Sequence, residues 1–172
     1  MIKPFLLMLV LVLPGAGLAE NGEPQDPALT EMEVLASRSI QEALNIVRQS
    51  GGFYPFAMTI NKGDNVTLVG YRGDPDARPP ADDFAAGLFL QMRETVNRDK
   101  SVRAVVVLKP FHAEAADGSP VPGVWAAVDH RDQLPWVMFQ PLILQENGRY
   151  KLGDIIYQRS AEHIFPPPPP RR

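Results

Sequence analysis

Apolar positions set the first expectation. Leu29, Met32, Ala36, Ile40, Ala43, Leu44 and Val47 recur at spacings of three and four, which predicts one apolar stripe on a helix. Asp26 and Pro27 supply its N-cap and first-turn proline, and Ser50-Gly51-Gly52 ends it. The period then changes to two. Phe56, Met58 and Ile60 alternate with Ala57 and Thr59, and Val66, Leu68 and Gly70 alternate with Thr67, Val69 and Tyr71. Two strands follow, joined by "NKGDN", whose Gly63 and two asparagines tolerate positive φ in a hairpin loop.

"RGDPDARPP", 72–80, reads as a surface turn before a second helix from Ala81 to about Asn97. Phe84, Leu88, Met92 and Val96 form its four-residue stripe, with Asp82 and Asp83 favouring the helix dipole. "SVRAVVVLK", 101–109, is a nearly continuous β-branched run, expected as a central strand covered on both faces. After a loop over 113–122, strands are expected at 123–130, 136–144 and 149–158. Pro141 marks a bulge, an edge or an end in the second, and Gly153 weakens the third.

The order is α-β-β-α-β-β-β, with room for one more strand. Tight turns impose antiparallel pairing, and two amphipathic helices need a sheet to cover. The expected fold class is therefore α+β, a five- or six-stranded antiparallel sheet covered by two amphipathic helices.

The first residues fall outside this scheme. "MIKPFLLMLVLVLPGAGLA" carries Lys3, an apolar run from Phe5 to Leu13, helix-breaking Pro14 and Gly15, then Gly17 and Ala19. That is the layout of a secretory signal peptide, and a run of about nine residues is too short to span a bilayer. Residues 1–19 are expected to be removed by cleavage after Ala19, delivering the protein to the periplasm or outside the cell. Residues 20–26 then form a flexible segment, 27–165 one domain, and 166–172 a polyproline tail. Removing nineteen of the 172 residues leaves 153, enough for one sizeable core.

Charge and cysteine content narrow the chemistry. Without Lys3, sixteen basic residues face twenty acidic ones, a net charge of −4. This balance offers no footprint for a phosphate backbone, so nucleic acid is not expected as a partner. The absence of cysteine excludes disulfides, thiol nucleophiles and cysteine-ligated metals.

Three histidines are available: His112, His130 and His163. "HAE", 112–114, spells half of the zinc-deaminase signature, but the Pro-Cys-x-x-Cys half is missing. "DHRD", 129–132, sets an imidazole between carboxylates, as a general base would need. Its place at a strand end before a turn predicts a solvated charged segment instead. No Gly-x-Ser-x-Gly elbow and no phosphate-cradling loop occurs. No metal and no cofactor is assigned.

Phe53, Tyr54 and Pro55 lie where the chain leaves the first helix, and their rings are expected to cover the end of the core. The alternative makes Phe53 and Tyr54, with Trp125, the rim of a ligand pocket between sheet and helices, with His112 and His130 as further candidates. Arg72-Gly73-Asp74 spells an adhesion tripeptide, and Asn65-Val66-Thr67 a glycosylation acceptor; both are weak signals at this length. The tail "FPPPPPRR" is the most unusual composition in the chain. Five prolines favour an extended left-handed helix that loses little entropy on docking. Pro166, Pro170 and Arg171 therefore join Arg72 and Asp74 as interaction candidates.

Helix, strand, glycine turn, strand and Arg-x-Asp segment, from Leu29 to Asp74, resemble the profilin-like layouts of extracytoplasmic sensor and binding domains. The same portion, roughly a quarter of the chain, is similar to the secreted haem-binding family related to the glycolate-operon accessory proteins. The later portion departs from that family, with "AVVVLKPFH" and "WVMFQPLIL" strands in place of its glycine-rich segment, so no site is carried over. The leading expectation is a small exported, non-catalytic binding domain with a protein partner. The alternatives are a small-ligand sensor or carrier and a hydrolase with dispersed acids around His112 or His130.

Overall fold

The computed structural model describes residues 26–167. Helix α1 (Pro27–Ser50) begins where the Asp26 side chain accepts from the Ala28 N–H at 3.0 Å. It ends at Gly51, whose φ of 78° is a conformation that glycine adopts without a Cβ penalty. Strands β1 (Phe56–Asn61) and β2 (Val66–Gly70) form the expected hairpin. In its turn the positive φ falls on Asp64, at 58°, rather than on Gly63 or an asparagine. Asn61 Oδ1 explains the difference: it accepts from the N–H groups of Gly63 and Asn65 and fixes the loop from within.

A short 3₁₀ turn (Pro75–Ala77) leads to α2 (Ala81–Arg98). Five strands follow: β3 (Val102–Glu114), β4 (Pro120–His130), β5 (Gln133–Leu144), β6 (Tyr150–Leu152) and β7 (Ile156–Arg159). The protein is α+β, and the sheet order is β2-β1-β3-β4-β5-β6, with β7 also paired to β5 and every pairing antiparallel.

Among the described residues, seven strands replace the expected five or six. The predicted final strand at 149–158 divides in two: β6 pairs with Leu142–Leu144 and β7 with Trp136–Phe139, on the same strand β5. Gly153 lies at the break, its N–H bonded to the Pro141 carbonyl at 3.0 Å, while Gln140 Nε2 donates to the Gly153 carbonyl at 2.7 Å. The expected loop at 113–122 shrinks to 115–119, because β3 and β4 stay paired from Ala104↔His130 out to Glu114↔Pro120.

The β-branched run does become a central strand covered on both faces. Ala104, Val106 and Leu108 point toward α1 and join Met32, Leu35 and Ile40 in one cluster. Val105 and Val107 point the other way, toward Leu88, Met92 and Val96 of α2. The period-two pleat thus feeds two cores from one strand. α1 lies over β1, β3 and β4, and α2 over β1 and β3. Ile164 and Phe165 complete the α2 cluster at 3% and 2% exposure.

Candidate functional site

Two surfaces and one buried polar cluster stand out. The first surface is an aromatic cleft where the chain passes from α1 into β1. Consecutive residues in extended chain point to opposite sides, so Phe53 turns toward the α1 cluster, edge-on to Phe56 at 6.1 Å. Tyr54 turns toward α2. Its ring lies 5.0 Å from Phe84 and 5.8 Å from Tyr71, and Tyr71 meets Phe84 edge-on at 5.6 Å.

Both tyrosine hydroxyls are fixed by the connecting turn. Tyr54 Oη donates to the Pro79 carbonyl at 2.6 Å and Tyr71 Oη to the Ala77 carbonyl at 3.2 Å. Arg78 lies over the Tyr54 ring at 5.2 Å and the Tyr71 ring at 6.0 Å, both cation–π distances. Desolvation, followed by the neighbouring Tyr71, holds the Tyr54 phenol above its ordinary pKa, with Arg78 pulling the other way. The cleft has a volume of about 520 Å³ and is lined by Phe53, Tyr54, Phe56, Leu68, Tyr71 and Arg78, among others.

The expected pocket is therefore brought together only in part. Trp125 lies farther along α2, beside Phe89 at 6.1 Å and under the Lys109 ammonium at 5.5 Å. Lys109 is itself held by Asp82 at 2.6 Å. Trp125 does not line the aromatic cleft.

The second surface is the β5–β7 end of the sheet. Among the described residues, eight of the twelve exposed large hydrophobics fall between positions 134 and 157, including Leu144 at 62% and Ile156 and Tyr157 at 60%. Such clustering is not the scattered exposure expected of an ordinary surface. A trough of about 850 Å³ separates this end from the last turns of α1, lined by Leu44, Val47, Arg48, Leu144, Arg149 and Tyr150 among others. A smaller cavity of about 190 Å³ continues along α1, lined in part by Trp136, Met138, Leu152 and Tyr157. The buried Trp136 indole N–H finds no acceptor.

The buried cluster corrects the expectation for "DHRD". Asp129 and His130 are only 2% and 3% exposed, not a solvated turn. Alternation along β4 sends them to opposite faces. His130 lies under α1, where Nε2 meets Glu31 Oε2 at 3.2 Å and Nδ1 accepts the Asp132 N–H at 3.0 Å. Glu31 also pairs with Arg103 at 3.1 Å, and Arg103 with Asp64 at 2.6 Å. Both imidazole nitrogens are thus engaged, Nε2 tying β4 to α1 and Nδ1 fixing the turn that follows β4.

Asp129 lies under α2. One oxygen accepts from Ile164 N–H at 2.6 Å and Phe165 N–H at 2.9 Å, the other from His130 N–H at 2.8 Å. Burial pushes this carboxyl above its ordinary pKa, although the three N–H donors oppose the shift. Arg131 stacks on the Phe165 ring at 4.9 Å, and Arg93 donates to the His163 carbonyl at 2.7 Å. This latch was not expected from the sequence, because its two halves lie 35 and 36 positions apart.

The remaining candidates do not converge. His112 is exposed and pairs with Pro122, eight ladder positions from the Ala104↔His130 pair. At ~3.4 Å per residue this is about 27 Å, so His112 and His130 cannot share a metal or a substrate. Among the described residues no group of three or more His, Cys, Asp or Glu is placed to hold a metal ion. Arg72 and Asp74 are both exposed on the 72–80 turn, Asp74 accepting from the Asp76 N–H at 3.0 Å. Pro166 is exposed. Pro170, Arg171 and the signal segment 1–19 lie outside the described residues. No described helix is long and apolar enough to cross a membrane.

Comparison with known proteins returns no matching family model, no matching curated protein and no matching solved structure.

Proposed function

We propose that this chain is an exported, non-catalytic binding domain, released to the periplasm by cleavage after Ala19, and that its partner is a protein. The observation carrying this reading is the apolar β5–β7 end, where Ile156 and Tyr157 are each 60% exposed on a strand whose outer edge has no neighbour among the described residues. An open edge with exposed apolar side chains suits addition of a strand or an apolar segment from another protein. The saturated His130 and the isolated His112 support binding over hydrolysis.

The test is retention from a periplasmic extract on immobilised wild type, Ile156→Lys and Tyr157→Lys. Both variants are expected to melt within about 2 °C of wild type, since exposed substitutions cost about ±0.5 kcal/mol. A partner held at micromolar concentration by wild type is expected to be weakened at least ~10-fold by each lysine. Equal retention by all three proteins, or retention of nothing, would sink this reading.

The trough and its neighbouring cavity favour a second reading, a carrier of a small apolar ligand. Trp136 lines the cavity with an unsatisfied N–H, so ligand entry should change its fluorescence in wild type and not in Trp136→Phe.

A further inference from the structure

We propose that the trough between the last turns of α1 and the β5–β6 hairpin holds a free long-chain carboxylate, its head between Arg48 and Arg149 and its apolar chain running along α1 toward Trp136. The inference rests on the carrier reading and names the class of ligand that reading leaves open.

The shape suits a single alkyl chain. The trough of about 850 Å³ and the cavity of about 190 Å³ share Leu152, and one face of α1 lines both: Ala36 and Ile40 the cavity, Leu44 and Val47 the trough. From Ala36 to Arg48 the helix rises about 18 Å at ~1.5 Å per residue. The larger volume falls within the ~300–1,000 Å³ of small-molecule sites, and the smaller exceeds the ~150 Å³ that holds a benzene-sized group. At the mouth Leu144 and Leu152 are 62% and 40% exposed, apolar area that an alkyl chain would cover. The path is long, apolar and narrow at its inner end.

Charge selects the head group. Arg48 and Arg149 both line the trough, no described carboxylate lines it, and among the described residues no ion pair holds either arginine. Arg48 gives an N–H to the Asn45 side chain at 3.2 Å, which leaves most of its fork open. Two like charges along one cleft raise its positive potential and oppose each other, and an anion lying between them offsets both effects. A carboxylate accepts from a guanidinium through two parallel bonds, so it matches this pair better than a neutral alcohol does.

Charge also gives the ligand a direction. Glu33, exposed on α1, lines the far end of the cavity, about 22 Å along the helix from Arg48 at ~1.5 Å per residue. A carboxylate head is favoured at the arginine end and disfavoured at the glutamate end. The apolar end of the chain then lies against Met138 and Trp136. The other tryptophan, Trp125, sits beside Phe89 of α2 and lines neither hollow. Trp125→Phe therefore leaves Trp136 as the single indole reporter of what enters.

Titration calorimetry with dodecanoate and dodecanol, each below its aggregation limit, separates the chain from the head. Wild type is expected to bind dodecanoate about 10-fold tighter than dodecanol. Arg48→Gln and Arg149→Gln are exposed changes that spare the core. Each should weaken dodecanoate about threefold and leave dodecanol unchanged, and the double variant should bind the two probes alike. In Trp125→Phe, dodecanoate should shift the Trp136 emission. Dodecanol bound as tightly as dodecanoate by wild type would overturn the carboxylate inference and leave the carrier reading standing; binding of neither probe overturns both. A preference for dodecanoate that survives the double variant, or a Trp136 emission that does not move, puts the ligand elsewhere and also defeats the proposal.

Discussion

A chain ending at Pro167 should melt with the full-length protein, whereas one ending at His163 should lose about 4 kcal/mol. The four residues between these endpoints contain Ile164 and Phe165, at 3% and 2% exposure under α2. Burying each stabilises by roughly 1.5–3 kcal/mol, and their N–H groups also satisfy the buried Asp129 carboxylate. For a domain of this size the loss is a fall of about 12 °C in Tm, readable by thermal circular dichroism. A Pro167 endpoint as unstable as the His163 endpoint would show that the prolines, not the latch, stabilise the fold.

Asp129→Asn tests the other half of the latch. An amide has only one acceptor oxygen for three backbone donors, so a loss of about 2 kcal/mol is expected. The pH dependence has a definite sign. Because burial raises the folded carboxyl above its unfolded value, the folded state binds the proton more tightly. The contribution linked to that proton is fully present below the unfolded pKa of 3.8 and is lost as pH rises through the higher folded value. Stability measured by urea unfolding across that window should decline more steeply with rising pH in wild type than in Asp129→Asn.

Gly123→Ala should be comparably severe, by about 3 kcal/mol. A Cβ there would stand 2.6 Å from the Gln140 carbonyl oxygen and collide with the Phe139 ring. The ring can be trimmed; the backbone cannot. Phe139→Leu should therefore recover only part of the loss in a double-mutant cycle. A urea midpoint for Gly123→Ala within error of wild type would contradict the close passage of β4 and β5 at this point.

The two stripes at 29–47 and 84–96 were legible because helices repeat their burial every three or four residues, and 101–109 because only a doubly covered strand is apolar at successive positions. The division of 149–158 was not legible. The Gly153 N–H bonds the Pro141 carbonyl and the Gln140 amide bonds the Gly153 carbonyl; the glycine marked a weak point in the run, but not the two separate pairings on β5. Phe53 and Tyr54 could be proposed as a rim from their place at a helix exit, but Tyr71, Phe84 and Arg78 could not be gathered with them. Their chain positions span more than twenty residues, and their contacts come from folding the 72–80 turn back over β1. The exposure of Ile155, Ile156 and Tyr157 was not legible either, because a strand pattern does not say whether anything covers it.

Local sequence thus settled the two helices, the β1–β2 hairpin and the two-sided character of β3, since each follows from side-chain period and turn chemistry within a few residues. Tertiary packing alone decided that Asp129 and His130 are buried rather than solvated, that Phe165 belongs to the core, and that β5–β7 stay uncovered. Burial is a property of what arrives from elsewhere in the chain. A carboxylate 35 and 36 positions from its donors acquires its role only when the fold brings them together.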